Sequence, residues 1–248
     1  MKKNIKINIL LVILVFIFLF SIIKITLFYV DENSNKNIHD ELIMNSVDIK
    51  KITDGDEKID KVSVDFKSLL DINKDIVGWI RFNDDKISYP IVKSTDNSYY
   101  LNRAFNKKKN SLGSIFMDYR NNTMRDKNIV IFGHNSTNGS MFGSLKDVLK
   151  DNFFENEKNK TIEIIDLNNN VYHYEIFSVY VTVKEEYYIT TDFETNNDFL
   201  EFLRNASRRS IIKFNTNLSE SDRILTLSTC NGVAGTNKRL AIHARLIY

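Results

Sequence analysis

The sequence predicts a mainly β domain, a barrel or a sandwich, tethered behind one membrane-spanning helix. Three observations predict it. One uninterrupted apolar run lies at the N-terminus. Eight short stretches of strand-like pattern follow Val77. Only two helical insertions interrupt them. The 248 residues leave room for one domain of moderate size, and 43% hydrophobic content with 17 Phe and 11 Tyr can fill a core. Eight Gly and one Pro argue against a low-complexity chain.

The apolar run is Ile9–Ile23, and with Ile25–Val30 it reaches about 33 Å as a helix at 1.5 Å per residue. Lys24 can snorkel to the interface. A cleaved signal peptide and a retained anchor both begin this way. No small-residue cleavage site follows, since the flank reads KITLFYVDENS, and this favours the anchor. Lys2, Lys3 and Lys6 precede the run and place the N-terminus in the cytoplasm, with a single pass and the remainder outside. Residues 1–30 hold four of the 34 basic residues and none of the 32 acidic ones. The exported part therefore carries 30 against 32, and no basic field points to nucleic acid.

Residues 31–61 are polar and poor in aromatics. They predict an extracellular stalk, helical around His39–Met44, with His39 solvated. A third domain segment, 62–248, opens with an amphipathic helix that begins at Asp65 and ends by Gly78; Phe66, Leu69, Leu70 and Ile76 share its face. The strands are expected at Val77–Phe82, Ile87–Lys93, Ser114–Met117, Asn128–Gly133, Thr161–Asp166, Val171–Val183, Arg223–Thr229 and Arg239–Tyr248, separated by Asn, Asp, Gly and Lys clusters. The helical insertions are Met141–Phe154 and Asp198–Arg209. In the second, Phe199, Phe202, Leu203 and Ala206 form a stripe, and Asp198 with Glu201 reads as a capping pair.

Cys230 is the one cysteine, so an intramolecular disulfide and a Cys-rich metal site are both excluded. No other metal-ligand cluster and no cofactor motif is evident. In ILTLSTC the alternation puts Leu225 and Leu227 on one face, with Thr226, Ser228 and Cys230 on the other. A space-filling thiol has no need of the polar face. An unassisted thiol also needs activation: at pH 7 a free Cys is roughly 3% thiolate and a free His roughly 24% imidazolium. His134 ends NIVIFGH, an apolar strand that reads as central, and either serves at a rim or is a loop histidine. His173 lies mid-strand among tyrosines and reads as packed or at the surface. His243 lies on the less apolar face of the last strand and reads as structural. Arg239 follows Cys230 across the loop NGVAGTNK. If the two flanking strands are antiparallel neighbours, its guanidinium returns beside the sulfur, where a fixed cation with several donors suits an oxyanion.

TLSTC, the loop, RLAIHARLI and the upstream IVIFGH together resemble a class B sortase. VGWIRF, ISYPIVKSTDNSYYL, GSIFMDYRN and YYITTDF are similar to that family's segments in the same order, over about residues 65–248. Phe132 departs from the pattern, since tyrosine is frequent before Gly-His in the family. The resemblance implies an eight-stranded sortase β-barrel and a membrane-anchored cysteine transpeptidase. Such an enzyme cleaves an NPxTG-like sorting signal on surface proteins after Thr, through a thioacyl enzyme. It then transfers the protein to an amine of a cell-wall peptidoglycan precursor. It implies Cys230 as nucleophile, His134 as general acid and base, and Arg239 at the oxyanion. Asn97, Leu101, Tyr188, Ile189 and Ser228 are implied in the groove. Two other readings remain open on the residues alone: a surface cysteine peptidase using Cys230 and His243, and a non-enzymatic anchored β-domain with an inert thiol.

Overall fold

The computed structural model describes residues 2–54, 57–122, 125–183, 185–230 and 237–248; residues 2–5, 35–36, 49–54, 57–61 and Cys230 are described through their backbone alone. Most of the loop expected between the last two strands, residues 231–236, lies outside the described residues.

Helix α1, Lys2–Ser46, leads into a hairpin of β1, Val47–Asp54, and β2, Glu57–Val64. Helix α2, Phe66–Ile72, is capped by Asp65, whose carboxylate accepts from the Ser68 amide at 3.2 Å. It is shorter than the sequence pattern predicts, because β3, Ile76–Phe82, takes over its second half. Then come β4, Ile87–Lys93; β5, Ile115–Met117; β6, Asn128–Gly133; β7, Thr161–Ile165; and β8, Val171–Val183. Helix α3, Asn196–Arg209, separates β8 from β9, Ile224–Cys230, and β10, Lys238–Leu246, completes the barrel.

The barrel closes in the order β10-β8-β7-β3-β4-β5-β6-β9. All eight expected strands are present within a residue or two of their predicted bounds. Two pairings, β4 with β5 and β6 with β9, are parallel. The interior holds one face of each strand, with Ile80, Ile91, Ile129, Ile131, Leu225, Leu227 and Ile242 all fully or nearly fully buried. At roughly 1.5–3 kcal/mol for each large apolar side chain removed from water, this layer dominates the favourable side of folding.

Three expectations are corrected. The segment Met141–Phe154 is not an α-helix but a series of 3-10 turns, Gly143–Leu149 and Phe153–Glu155. Its backbone presses on the loop before it: a Cβ built on Gly143 would lie 2.2 Å from the Ser136 carbonyl oxygen. The cap of α3 is Thr195, which forms a reciprocal pair with Asp198, so Asp198 stands inside the first turn and Glu201 plays no part in it. His39 is not solvated. Its ring stacks on Tyr89 at 4.0 Å, and burial pushes its pKa down to about 4 against the opposing charge of Asp40.

His39 belongs to a longer docking surface. Leu42 packs with Val62, Val64, Phe66 and Leu69 in a second core on the outside of the barrel, centred on Trp79. The Asp31 carbonyl accepts from Asn110 Nδ2 at 2.9 Å, and Ser136 Oγ donates to Glu32 Oε1 at 3.3 Å. Deletion of residues 1–30 is therefore expected to leave a soluble, folded domain, since this contact set starts at Asp31. Deletion of residues 1–46 strips Leu42 and His39 from the barrel. It should lower the melting temperature by about 4 °C or more, taking roughly 2 kcal/mol for one core leucine. Thermal melts of the two truncations decide this; equal melting temperatures would mean that the docked half of α1 adds nothing.

Candidate functional site

Backbone register alone brings three of the predicted residues to one end of the barrel. In the antiparallel pair β9–β10, Cys230 lies opposite Arg239, so their Cα atoms are about 4.5–5.5 Å apart. In the parallel pair β6–β9, Gly133 lies beside Thr229. His134, the next residue, therefore stands level with Cys230 on the neighbouring strand. Cys230 thus ends a strand flanked on one side by His134 and on the other by Arg239.

The position of His134 has local causes. A Cβ on Gly133 would meet Ile115 at 2.5 Å and Phe142 at 2.7 Å, so glycine lets the strand end lie against the core. The His134 carbonyl accepts from the Phe142 amide at 2.9 Å. Its ring Nε2 lies 2.7 Å from the Leu101 carbonyl oxygen. A carbonyl only accepts, so Nε2 carries the hydrogen and Nδ1 is the basic nitrogen of the neutral ring. The Leu101 carbonyl is itself placed by Gly113, whose left-handed backbone, φ +60, lies close enough that a Cβ would stand 2.7 Å from that oxygen. Burial pushes the His134 pKa below the ordinary histidine value; the Leu101 carbonyl opposes this, and the charge of Arg239 lowers it further. The ring is a proton acceptor at neutral pH. Arg239 Nη1 donates to the Lys238 carbonyl at 2.7 Å.

The five residues that the family resemblance implies for a groove lie on and around β6 and β9. Ser228, on β9, meets a 3-10 turn, Tyr187–Ile189, that carries Tyr188 and Ile189. Tyr188 and Ser228 face each other, with hydroxyls 3.0 Å apart, and both are buried. Leu101 is 43% exposed at the rim. Asn97 sits farther along, donating to Asp118 Oδ2 at 3.1 Å and accepting from the Tyr119 amide at 3.0 Å. Phe132, where tyrosine was expected from the family pattern, packs on Phe116 with ring centroids 5.3 Å apart.

His243 is not brought to Cys230. It pairs in register with Thr226, four residues along the strand and roughly 13 Å away at 3.3 Å per residue. It is fully buried. Nδ1 lies 2.9 Å from Thr226 Oγ1, and Nε2 lies 2.9 Å from the Tyr180 hydroxyl. Burial, with a smaller contribution from Arg209, pushes its pKa down to about 3, so it stays neutral. A dyad of Cys230 and His243 has no geometric basis. His173 stacks on Tyr248 at 4.3 Å, away from the site.

Sequence reasoning missed Asp118 and Arg120. Asp118 is fully buried, and its carboxylate receives Arg120 Nε at 2.9 Å and Nη2 at 2.6 Å, besides Asn97. Burial raises the Asp118 pKa, but the hydrogen bonds from Arg120 more than offset it, and the carboxyl stays below its usual range. The signal available in the sequence was an aspartate directly after an apolar strand with arginine two residues on.

The family described as Sortase domain matches residues 81–247. Sortase B of Staphylococcus aureus is 40% identical over 184 residues, which covers 73% of this chain and 74% of that protein. A crystal structure of sortase B from Bacillus anthracis, in complex with AAEK1, superposes with a TM-score of 0.73 at 35% identity and covers 88% of this chain and 99% of that one. A sortase B–substrate complex from Staphylococcus aureus superposes with a TM-score of 0.67 at 40% identity, over 73% and 84% of the two chains.

Proposed function

The chain belongs to the sortase family, and from that premise we propose the chemistry of its own residues as a sortase B-type cysteine transpeptidase. Cys230 attacks the carbonyl carbon of the Thr in a C-terminal, NPxTG-like sorting signal, while His134 takes the thiol proton at Nδ1. Arg239 donates to the tetrahedral oxyanion. The C–N bond then breaks, His134 returns the proton to the leaving amine, and a thioester joins the surface protein to Cys230. An amine of a peptidoglycan precursor attacks the thioester with His134 as base. A new amide forms and the thiol is restored. No cofactor enters any step. The observation that carries this reading is the register Cys230 to Arg239 with His134 level on the parallel strand.

Asn97, Leu101, Tyr188, Ile189 and Ser228 line the path of the signal in this reading. Residues 1–30 serve as cytoplasmic tip and anchor, 31–61 as the extracellular connection, and 62–248 as the catalytic domain. The helix is apolar and unburied over its first part, as a single-pass anchor requires, and the lysines before it set the N-terminus inside. Capture by triglycine tests the transfer step. Product carrying triglycine should replace hydrolysed peptide as triglycine rises. Hydrolysis that no amine concentration diverts would mean a peptidase instead.

A further inference from the structure

An ion pair links two of the residues assigned above to the path of the signal, Asn97 and Ile189. Asp118 follows β5, and its amide donates to the Val130 carbonyl at 2.9 Å. It therefore stands at the level of Val130, four residues before His134 on β6. At 3.3 Å per residue this is roughly 13 Å from the catalytic rim, the span of about four extended residues. From that level the pair reaches both of them. Asp118 holds Asn97 on one side. Arg120 Nη2 donates across to the Ile189 carbonyl at 2.9 Å on the other. The next carbonyl, of Thr190, accepts from Asn128 Nδ2 at 2.7 Å. The turn that carries Tyr188 is thus pinned at consecutive carbonyls from below, and Arg120 makes the outer of the two connections.

We propose that Asp118 and Arg120 form a strut about four residues along from Cys230 that fixes the spacing of Asn97 and Ile189. They act as positioning residues that set the register of the sorting signal, so that the Thr carbonyl, and not a neighbour, meets the thiol. The proposal rests on the transpeptidase reading above. The carboxylate is the element that makes the strut rigid. A fully buried Asp118 locks the guanidinium by two hydrogen bonds, and a locked guanidinium loses little freedom when it also holds the Ile189 carbonyl. Arg120 is itself 33% exposed at its side chain.

The test uses the full-length chain in detergent. Arg120→Ala should raise KM for a sorting-signal peptide by about tenfold, the order of one lost charge-assisted hydrogen bond. The kcat should stay within about threefold, because no group at the thiol is altered. Arg120→Lys should recover part of the loss, and Asp118→Asn should shift KM in the same direction. Trimming the peptide at its N-terminal side should harm the wild type more than Arg120→Ala. Hydrogen exchange gives a reading without substrate: the Ile189 and Thr190 amides, bonded to the Glu186 and Tyr187 carbonyls, should exchange faster in Arg120→Ala. Unchanged exchange there, or a fall in kcat at constant KM, overturns the strut. A wild type that turns over no sorting-signal peptide overturns the transpeptidase reading instead, and the exchange measurement still decides the strut.

Discussion

Cys230→Ala is expected to abolish both cleavage and transfer while the protein folds normally. The substitution removes one sulfur from the last residue of β9 and leaves the backbone pairing with Arg239 intact. No neighbour can take over. Ser228 lies on the same face two residues earlier, about 7 Å along the strand, and its hydroxyl is already paired with that of Tyr188. Loss of the covalent route should cost several orders of magnitude. Turnover of a sorting-signal peptide, measured beside a thermal melt, decides it. Residual transfer above about a thousandth of wild type, with an unchanged melt, would remove Cys230 from the role of nucleophile.

Arg239→Lys should be nearly as damaging as Arg239→Ala, although it keeps the charge. Lysine offers a point donor on a flexible stem and cannot reproduce the planar fork. Removal of one oxyanion donor typically costs about 2.7–4 kcal/mol, or roughly a hundred- to a thousandfold in turnover. Arg245 shares the strand face but lies six residues on, about 20 Å away. It is also engaged at the opposite end of the barrel, where Nη2 pairs with Glu175 at 3.1 Å and Nη1 donates to the Asn217 carbonyl at 3.0 Å. Arg245→Ala should therefore be mild. Steady-state turnover of the three variants checks the assignment: near-full activity in Arg239→Lys, or equal damage in Arg245→Ala, would place the oxyanion elsewhere.

The strands were legible because each is a run of β-branched and aromatic residues bounded by turn formers, as in ISYPIVK and NIVIFG. Alternation along β9 put Leu225 and Leu227 on one face and Thr226 and Ser228 on the other; the two leucines lie in the barrel core, and the two hydroxyls bond to Asn128 and Tyr188. Alternation does not say which strands neighbour one another. The parallel pairing of β6 with β9, which sets His134 beside Cys230, joins residues about a hundred positions apart and leaves no local trace. The turns after Met141 were misread because Leu145, Val148 and Leu149 mimic helical spacing. The docked half of α1 was hidden by its polar composition. Ile38, Leu42 and Ile43, with His39 between them, mark the side that meets the barrel. Asp118 was hidden for a different reason: a charged residue in a loop reads as solvated until tertiary structure buries it.

The hydrogen bonds at Asp31 and Glu32 change how far the enzyme can search. A random coil as long as residues 31–61 would give a tethered domain an r.m.s. reach of about 30 Å. Here the helix runs on from the apolar segment, and Glu32 already touches Ser136, two residues past His134. Glu32 is two residues beyond Val30, only about 3 Å of helix axis. With the apolar segment as the proposed anchor, the end of the barrel that carries His134 would be held close above the lipid headgroups. It does not sweep a hemisphere. The local concentration it meets is then that of whatever lies in or against the bilayer, and a partner dissolved at a distance gains nothing from the tether.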